Sequence, residues 1–424
     1  MKPKQAFRIH MILRYLCISC VIVVGFISII GTGGGGDDSW LFPLWVETDV
    51  VVSDIDFDGR NDILTLARLS TSMSHDEGHL CVYHQTDQGE FSAPSTYIIG
   101  EYPWQLVASD IDGDTLPDLI VTDVDLNNVQ LLLQDPDSHG QFLPPQQIAS
   151  GMIAYETATA DFNNDSTSDI AIVDSHVGSS RIVMLYQDPA HQGIFLPAMD
   201  FMVPGTASSN ITAGDINGDG LADLLAVIKL PSSVETQNKV LGISLQQPDG
   251  TLGPITTLAP QTGLNVDLLS ITDYNGDGAN DLFVFFTPSS VDYQAKLTVV
   301  LQDSVTGTFA APVDTSLAGI RGIDDAAVAD LNGDGRPDFA VAGFYPEGSP
   351  STVKSKLRIF IQSGGGAFSL TGVYDMPISV SRVAAGDIDD DGLNDLVVLG
   401  SENQAMVLIQ SHIMIGTFNP PKSL

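Results

Sequence analysis

The chain is poor in positive charge: its 424 residues hold 17 Lys and Arg against 53 Asp and Glu, a formal net charge of −36. A surface of that sign repels phosphate backbones, so nucleic acid is excluded as a partner. Cysteine is also scarce, with only Cys17, Cys20 and Cys81. If the first two depart with an N-terminal segment, Cys81 has no partner and no disulfide can staple the fold. Signature motifs of common enzymes are missing too, since no Gly-x-Ser-x-Gly, His-Glu-x-x-His or phosphate-cradling glycine loop occurs. Charged residues make up 17% and hydrophobic residues 43%. An acidic disordered chain would be depleted in the apolar residues that this one has.

Lys2, Lys4, Arg8 and Arg14 precede an uncharged apolar run from Tyr15 to Ile30, followed by a glycine-rich stretch ending at Gly36. Residues 1–36 read as an export signal or a single N-terminal membrane anchor. A run of 16 residues is at the short edge for a hydrocarbon core of about 30 Å, which favours the cleaved signal. Cys17 and Cys20 lie before most of the run, unlike the acylated cysteine of a lipoprotein. The expected location is secreted, periplasmic or at the cell surface, with residues 37–424 as the folded domain.

Most of the acid has a period. The pattern Asp-x-(Asp/Asn)-x-Asp-(Gly)-x-x-Asp begins at Asp54, Asp110, Asp161, Asp215, Asp273, Asp330 and Asp387, at intervals of 51 to 58 residues. Alternating acids on a tight loop aim their oxygens at one point, a crowding that is tolerable around a cation, and oxygen-only donors select Ca²⁺. The expected ligands of the first loop are Asp54, Asp56, Asp58 and Asp62, with the carbonyl of Arg60. The second has Asp110, Asp112, Asp114, Asp118 and the carbonyl of Leu116; the third Asp161, Asn163, Asp165, Asp169 and Thr167. The fourth has Asp215, Asn217, Asp219, Asp223 and Leu221; the fifth Asp273, Asn275, Asp277, Asp281 and Ala279. Asp330, Asn332, Asp334, Asp338 and Arg336 form the sixth, and Asp387, Asp389, Asp391, Asp395 and Leu393 the seventh. Thr115 and Ser166 replace the turn glycine in the second and third loops, which predicts weaker binding there. The four side-chain ligand positions of the seven loops hold 24 of the 53 acidic residues, so up to seven ions would offset much of the charge, chiefly in a structural role.

The twelfth position of each loop, Thr65, Val121, Ile172, Ala226, Val284, Val341 or Val398, is not acidic. EF-hands and dockerins are thereby excluded. The ninth-position Asp leads instead into short aliphatic runs that read as buried strands. Each unit then has a second apolar strand ending in Gln (Gln85, Gln134, Gln187, Gln246, Gln302, Gln362, Gln410). A turn follows, and then Phe91, Phe142, Phe195, Phe309, Phe368 or Phe418, with Leu252 in the fourth unit. Units of about 55 residues with four strands each are the size of a propeller blade. The residue before each loop is small (Ser53, Ser109, Ala160, Gly214, Thr272, Ala329, Gly386), as an innermost strand beside a crowded axis requires. The last unit ends soon after Phe418, so Leu41 to Thr48 is expected to supply its fourth strand and close the ring.

These loops, with downstream stretches such as Gly307-Thr308-Phe309-Ala310-Ala311-Pro312, resemble the FG-GAP and VCBS repeats, similar to those of the integrin α-subunit head. The resemblance covers nearly all of the chain after the N-terminal segment. It implies an all-β, seven-bladed propeller of four-stranded blades, with Ca²⁺ in the loop between the first two strands of each. It also implies adhesion modules, lectins or polysaccharide-cleaving enzymes as functions, because the scaffold serves all three.

Longer polar connections near Ser70 to His79, Lys229 to Lys239, Thr287 to Ala295 and Phe344 to Lys356 fall on the face away from the loops, where recognition evolves. Tyr102, Trp104 and Tyr155 enter blades 2 and 3 there as candidate ligand-binding aromatics, although Trp104 also suits packing between blades. His75, His79, His139, His191 and His412 read as surface imidazoles, with His75 and His79 joining Asp76 and Glu77 in a secondary metal site as the lesser alternative, and Cys81 as a buried small hydrophobe. Asp123, Asp125, Asp174, Glu235 and Asp324 are acids outside the loops that nothing in the sequence pairs. The favoured function is a monomeric, calcium-binding module for a protein or glycan ligand. The alternatives are a polysaccharide lyase or glycosidase, and a scaffold subunit with no ligand of its own.

Overall fold

The structure, a computed structural model, describes residues 44–70, 77–87, 89–175, 180–230, 239–257, 264–288, 294–303, 308–317, 320, 322–344, 355–363, 367–400, 404–411 and 416–423. The expected export segment therefore lies outside the described residues, as do most of the long connections, Glu235, His75 and His412. Among the described residues there is no helix, and 28 strands form seven four-stranded antiparallel sheets.

Each sheet is one blade, built consecutively along the chain. Blade 1 consists of Leu44–Ser53, Asp62–Ser70, Glu77–Tyr83 and Ser95–Gly100. The inner strands of blades 2 to 7 are Pro103–Ser109, Ala154–Ala160, Thr206–Gly214, Leu264–Thr272, Gly322–Ala329 and Val380–Gly386. Blade 7 completes itself: Lys422–Ser423 is its own fourth strand, pairing with Met406 and Val407. The expected exchange of Leu41 to Thr48 into the last blade is thus corrected. The described part of that segment begins the inner strand of blade 1, where Leu44 pairs with Ser70 and Glu47 with Ala67. Two residues of outer strand suffice because the outermost position contributes little of the core.

The core lies between the blades. Seven apolar clusters of buried residues each join two neighbouring blades. Period-two alternation explains why the middle strands read as unbroken apolar runs, since both faces of every sheet are covered. In blade 1, Leu64, Leu66, Leu80 and Val82 point toward blade 2, whereas Ile63 and Cys81 point toward blade 7. The ring is closed by this last cluster, in which Val50 and Ile63 meet Ile388 and Val397 without any shared strand. Crowding at that seam accounts for Gly386, where an added Cβ would lie 2.4 Å from Val52 Cγ1.

The repeated Gln and aromatic residues are cross-strand partners. Gln85 faces Phe91, Gln134 Phe142, Gln187 Phe195, Gln246 Leu252, Gln302 Phe309, Gln362 Phe368 and Gln410 Phe418. Every inner strand also carries an irregularity in its pairing, near Asp49, Gln105, Glu156, Asn210, Asp267, Asp325 or Arg382. These bulges lie toward the end of the strand away from the acidic loop, and they re-aim side chains at the channel mouth.

Candidate metal centres and the channel mouth

All seven acidic loops fold by one set of hydrogen bonds. The first Asp accepts the N–H of the sixth residue at 2.7 to 3.1 Å, so its carboxylate sits inside the turn. The fifth-position Asp accepts the N–H of the seventh residue at 2.7 to 3.0 Å, which fixes Arg60, Leu116, Thr167, Leu221, Ala279, Arg336 and Leu393. The ninth Asp is buried in every blade. One of its oxygens accepts the N–H of the second loop residue at 2.9 to 3.2 Å. The other accepts the N–H of the strand-ending Gln at 2.6 to 2.8 Å. This residue therefore ties the loop to the third strand of its blade before any cation is considered.

The backbone turns left-handed twice in each loop. The sixth residue has φ of 69 to 89° whether it is Gly59, Thr115, Ser166, Gly220, Gly278, Gly335 or Gly392. The fourth does the same at 59 to 77°, and here Phe57, Asn164 and Asp390 stand where the other loops have Gly113, Gly218, Gly276 and Gly333. The glycine missing from the second and third loops was legible in the sequence; the second left-handed position was not, because Phe, Asn and Asp hide it. Only Asn and Asp among these adopt the region readily, so Phe57, Thr115 and Ser166 carry the strain.

Convergence of oxygens follows from these turns. Ligand atoms of Asp54, Asp56 and Asp58 lie within 4.8 Å of one another, as do those of Asp110, Asp112 and Asp118, and of Asp387, Asp389 and Asp395. In the Asn-bearing loops the amide oxygens of Asn163, Asn217, Asn275 and Asn332 turn inward and accept the fifth residue's N–H at 2.8 to 2.9 Å. Burial pushes the carboxyls of Asp169, Asp338 and Asp395 up to about 7 and those of Asp118 and Asp223 up to about 6, and neighbouring carboxylates add to the rise. Such a cage is an oxygen donor set short of positive charge, and it fits a hard dication.

The first loop differs from the rest. His84, which the motif does not include, places Nδ1 3.2 Å from Asp62 Oδ2 and 3.4 Å from Asp56 Oδ2. The hydrogen bond to Asp62, together with the surrounding carboxylates, raises its pKa against the opposing effect of burial. Arg60 pairs with Asp58 and with Asp87, the latter at 3.0 Å, and Arg336 pairs with Asp334 at 2.9 Å in blade 6.

Side chains also link successive loops around the ring. Asn61, Ser168, Asn280 and Asn394 each donate to the carbonyl of the first Asp in the preceding blade, at 2.9 to 3.1 Å. Gln187, Gln246, Gln362 and Gln410 reach the carbonyls of Ile111, Asp161, Tyr274 and Leu331 in the same way.

At the other end of the inner strands, a second ring of polar residues joins the blades. Asp49 accepts the N–H of Leu106 at 2.7 Å, Gln105 that of Thr157 at 2.6 Å, Asn210 that of Leu269 at 3.0 Å and Asp325 that of Val383 at 2.8 Å. Glu156 takes the N–H of Ile211. Each acceptor thus bonds the next blade, and in blade 7 the equivalent residue is Arg382, whose Nε lies 3.3 Å from Asp49 Oδ1 across the closing seam. Burial raises Asp49, Glu156 and Asp325, the second to about 7 and the third to about 6, while Arg382 opposes the rise in all three. The sequence signal for this ring was a polar residue five places before six of the seven loops, with Leu268 in the fifth unit, which the acidic pattern overshadowed.

The predicted aromatics meet at this mouth. Trp104 makes edge contacts with Tyr155 at 5.1 Å and Tyr102 at 5.8 Å between ring centroids. The Arg68 guanidinium lies 3.8 Å above the Tyr102 ring, and that of Arg382 5.9 Å from Trp104. All three rings are half-buried. Other sequence candidates are structural. Asp123 is buried and accepts the N–H groups of Glu101, Tyr102 and Leu126, and Asp174 binds Arg181 and the N–H of Ile153. His139 and His191 are exposed and Cys81 is buried as expected, but His79 is buried at 8% exposure rather than a surface imidazole.

Comparison with known proteins adds a family. Residues 54–121, 110–172, 161–226 and 273–341 match the FG-GAP-like repeat. The chain is 32% identical over 165 residues to integrin alpha-IIb of Mus musculus, covering 34% of this chain and 16% of that protein. It is 33% identical over 147 residues to integrin alpha-IIb of Homo sapiens, covering 31% and 14%. The match therefore spans about a sixth of these relatives' length.

Proposed function

The chain belongs to the FG-GAP-like repeat family, and from that premise we propose that it is an exported binding module: a propeller whose loops hold Ca²⁺ and whose channel mouth recognises a protein or glycan. Residues 1–36 direct export or anchor the chain, and residues 37–424 form the propeller. Up to seven loops take an ion each, more weakly in blades 2 and 3, where Thr115 and Ser166 must adopt the left-handed turn.

The observation that carries the binding reading is the cluster of Tyr102, Trp104 and Tyr155 under the Arg68 guanidinium at the mouth opposite the loops. Half-buried aromatic faces beside a cation stack on sugar rings or seat a partner's apolar side chain. The enzyme alternative is disfavoured because the described channel carboxylates are spent on neighbouring backbone and on Arg382. Catalysis by acid and base requires carboxylates that reach substrate instead.

Two measurements test the proposal. Calorimetric titration of chelator-stripped protein with Ca²⁺ should reach several equivalents, at most one per loop, with a rise in melting temperature; no uptake would leave the loops as acidic turns. A glycan and protein array in Ca²⁺ should then find a saturable ligand whose binding Tyr155→Ala weakens. Release of reducing or unsaturated sugar ends would replace this reading with the lyase or glycosidase one.

A further inference from the structure

In six blades the residue before the strand-ending Gln is Leu133, Tyr186, Leu245, Leu301, Ile361 or Ile409, whereas in blade 1 it is His84. The substitution puts an imidazole nitrogen among the carboxylates of one loop only. Nδ1 of His84, an oxygen of Asp56 and an oxygen of Asp62 all lie within 4.8 Å of one another. We propose that this loop binds a transition-metal dication of the Zn²⁺ type through His84, Asp56 and Asp62, in place of the Ca²⁺ held by the all-oxygen loops.

Three physical arguments support the assignment. First, imidazole is a borderline donor that suits Zn²⁺ and its neighbours, while Ca²⁺ is served by oxygen. Second, metal–ligand bonds of about 2.0 to 2.1 Å in a tetrahedral site place neighbouring donors roughly 3.3 Å apart. The observed separations from Nδ1 are 3.2 Å to Asp62 and 3.4 Å to Asp56. Third, the donors are held in place before any ion arrives. Both oxygens of Asp62 are anchored by backbone N–H groups of Ile55 and Gln85; Oδ1 keeps a further lone pair, and that of Oδ2 faces His84 Nδ1 in the contact that a bound ion would replace. The His84 ring is packed against blade 2, where a Cβ on Gly140 would come within 2.5 Å of His84 Cε1 and 2.9 Å of Asp56 Cβ. Arg60 engages the fifth-position Asp58, as Arg336 engages Asp334 in the sixth loop, so what sets the first loop apart is the imidazole and not this ion pair. A fourth position is left for water or an incoming donor, as at open zinc sites.

The inference rests on the reading of the loops as metal sites, and the experiment separates the two. The full chain is loaded with Zn²⁺, dialysed against millimolar Ca²⁺, and analysed for both metals by mass spectrometry. Retention of one Zn²⁺ per chain beside several Ca²⁺ is expected. X-ray absorption of the bound zinc should show an imidazole nitrogen in its shell. His84→Leu, the residue that blades 2, 4 and 5 already carry at this place, should lower Zn²⁺ affinity at least tenfold while Ca²⁺ uptake by the other loops persists. Asp56→Asn, which keeps the shape of the loop, should lower it as well and guards against a folding defect in the first variant. Loss of all Zn²⁺ to Ca²⁺ in the wild type overturns the inference while the loop reading survives. So does zinc binding that both variants leave unchanged. Absence of any Ca²⁺ uptake would overturn the loop reading itself, irrespective of zinc.

Discussion

Each inner strand of the propeller carries polar residues at both ends, and the two ends neutralise their acid differently. At the loop end, carboxylates are crowded together around a point and leave it short of positive charge. At the channel end, Asp49, Glu156 and Asp325 are spread over three blades, each capped by the next blade's N–H, and they share Arg382. On the proposed function the first arrangement draws a cation from solution; the second brings its own. Acid in this chain is therefore not one feature but two, and the responses to chelators and to pH should tell them apart.

The largest expected effect comes from removing metal. A site held at a hundred times its dissociation constant contributes about 2.7 kcal/mol, so stripping several loops should lower the melting temperature steeply. Hydrogen exchange would then show faster opening at the loop end than at the inner-strand bulges; equal loosening at both ends would erase the distinction. Next in size is Arg382→Met, which leaves the channel carboxylates without their counter-charge. It should cost about 3 kcal/mol at pH 8 in denaturant unfolding, and much less at pH 5, where Glu156 and Asp325 hold protons.

A smaller effect isolates one titration. Glu156 is raised to about 7 in the fold by burial from an ordinary value of 4.5. The folded state thus holds the proton more tightly than the unfolded chain, and its contribution to stability declines as pH rises through that window. Glu156→Gln should flatten the decline, measured as the difference in unfolding midpoint from wild type between pH 4 and pH 8 in saturating Ca²⁺. A difference that does not change with pH would mean that the carboxyl is well solvated after all. The smallest effect is at the loop end. A non-glycine residue in the left-handed region costs roughly 1 to 2 kcal/mol, and glycine returns roughly half of that in unfolded-state entropy. Thr115→Gly should therefore stabilise by about 0.5 to 1 kcal/mol and tighten Ca²⁺ binding in blade 2, read by calorimetry. Gly278→Ser in blade 5 should do the reverse.

Much of this was legible from residue order. The nonapeptide period located all seven loops, the Gln and Phe positions proved to be facing partners, and the small residue before each loop sits where blades crowd, as Gly386 does against Val52. What was missed shares a cause. His84 lies outside the motif and reaches the first loop only because the third strand folds back beside it. The polar ring at Asp49, Gln105, Glu156, Asn210 and Asp325 gains meaning only when the next blade's backbone stands opposite. The fourth strand of blade 7 was too short, at two residues, to show a period.

The sequence by itself determined the repeat, the turns and the blade, because these depend on residues within a few positions of one another: an Asp that caps its own loop, a glycine at a left-handed turn, an alternation that suits a buried strand. Only the tertiary structure decided how blade 7 meets blade 1, which side chains bridge the seams and which acids share Arg382. The Arg382–Asp49 bond alone joins residues 333 positions apart, and such partners exist only once the ring has closed.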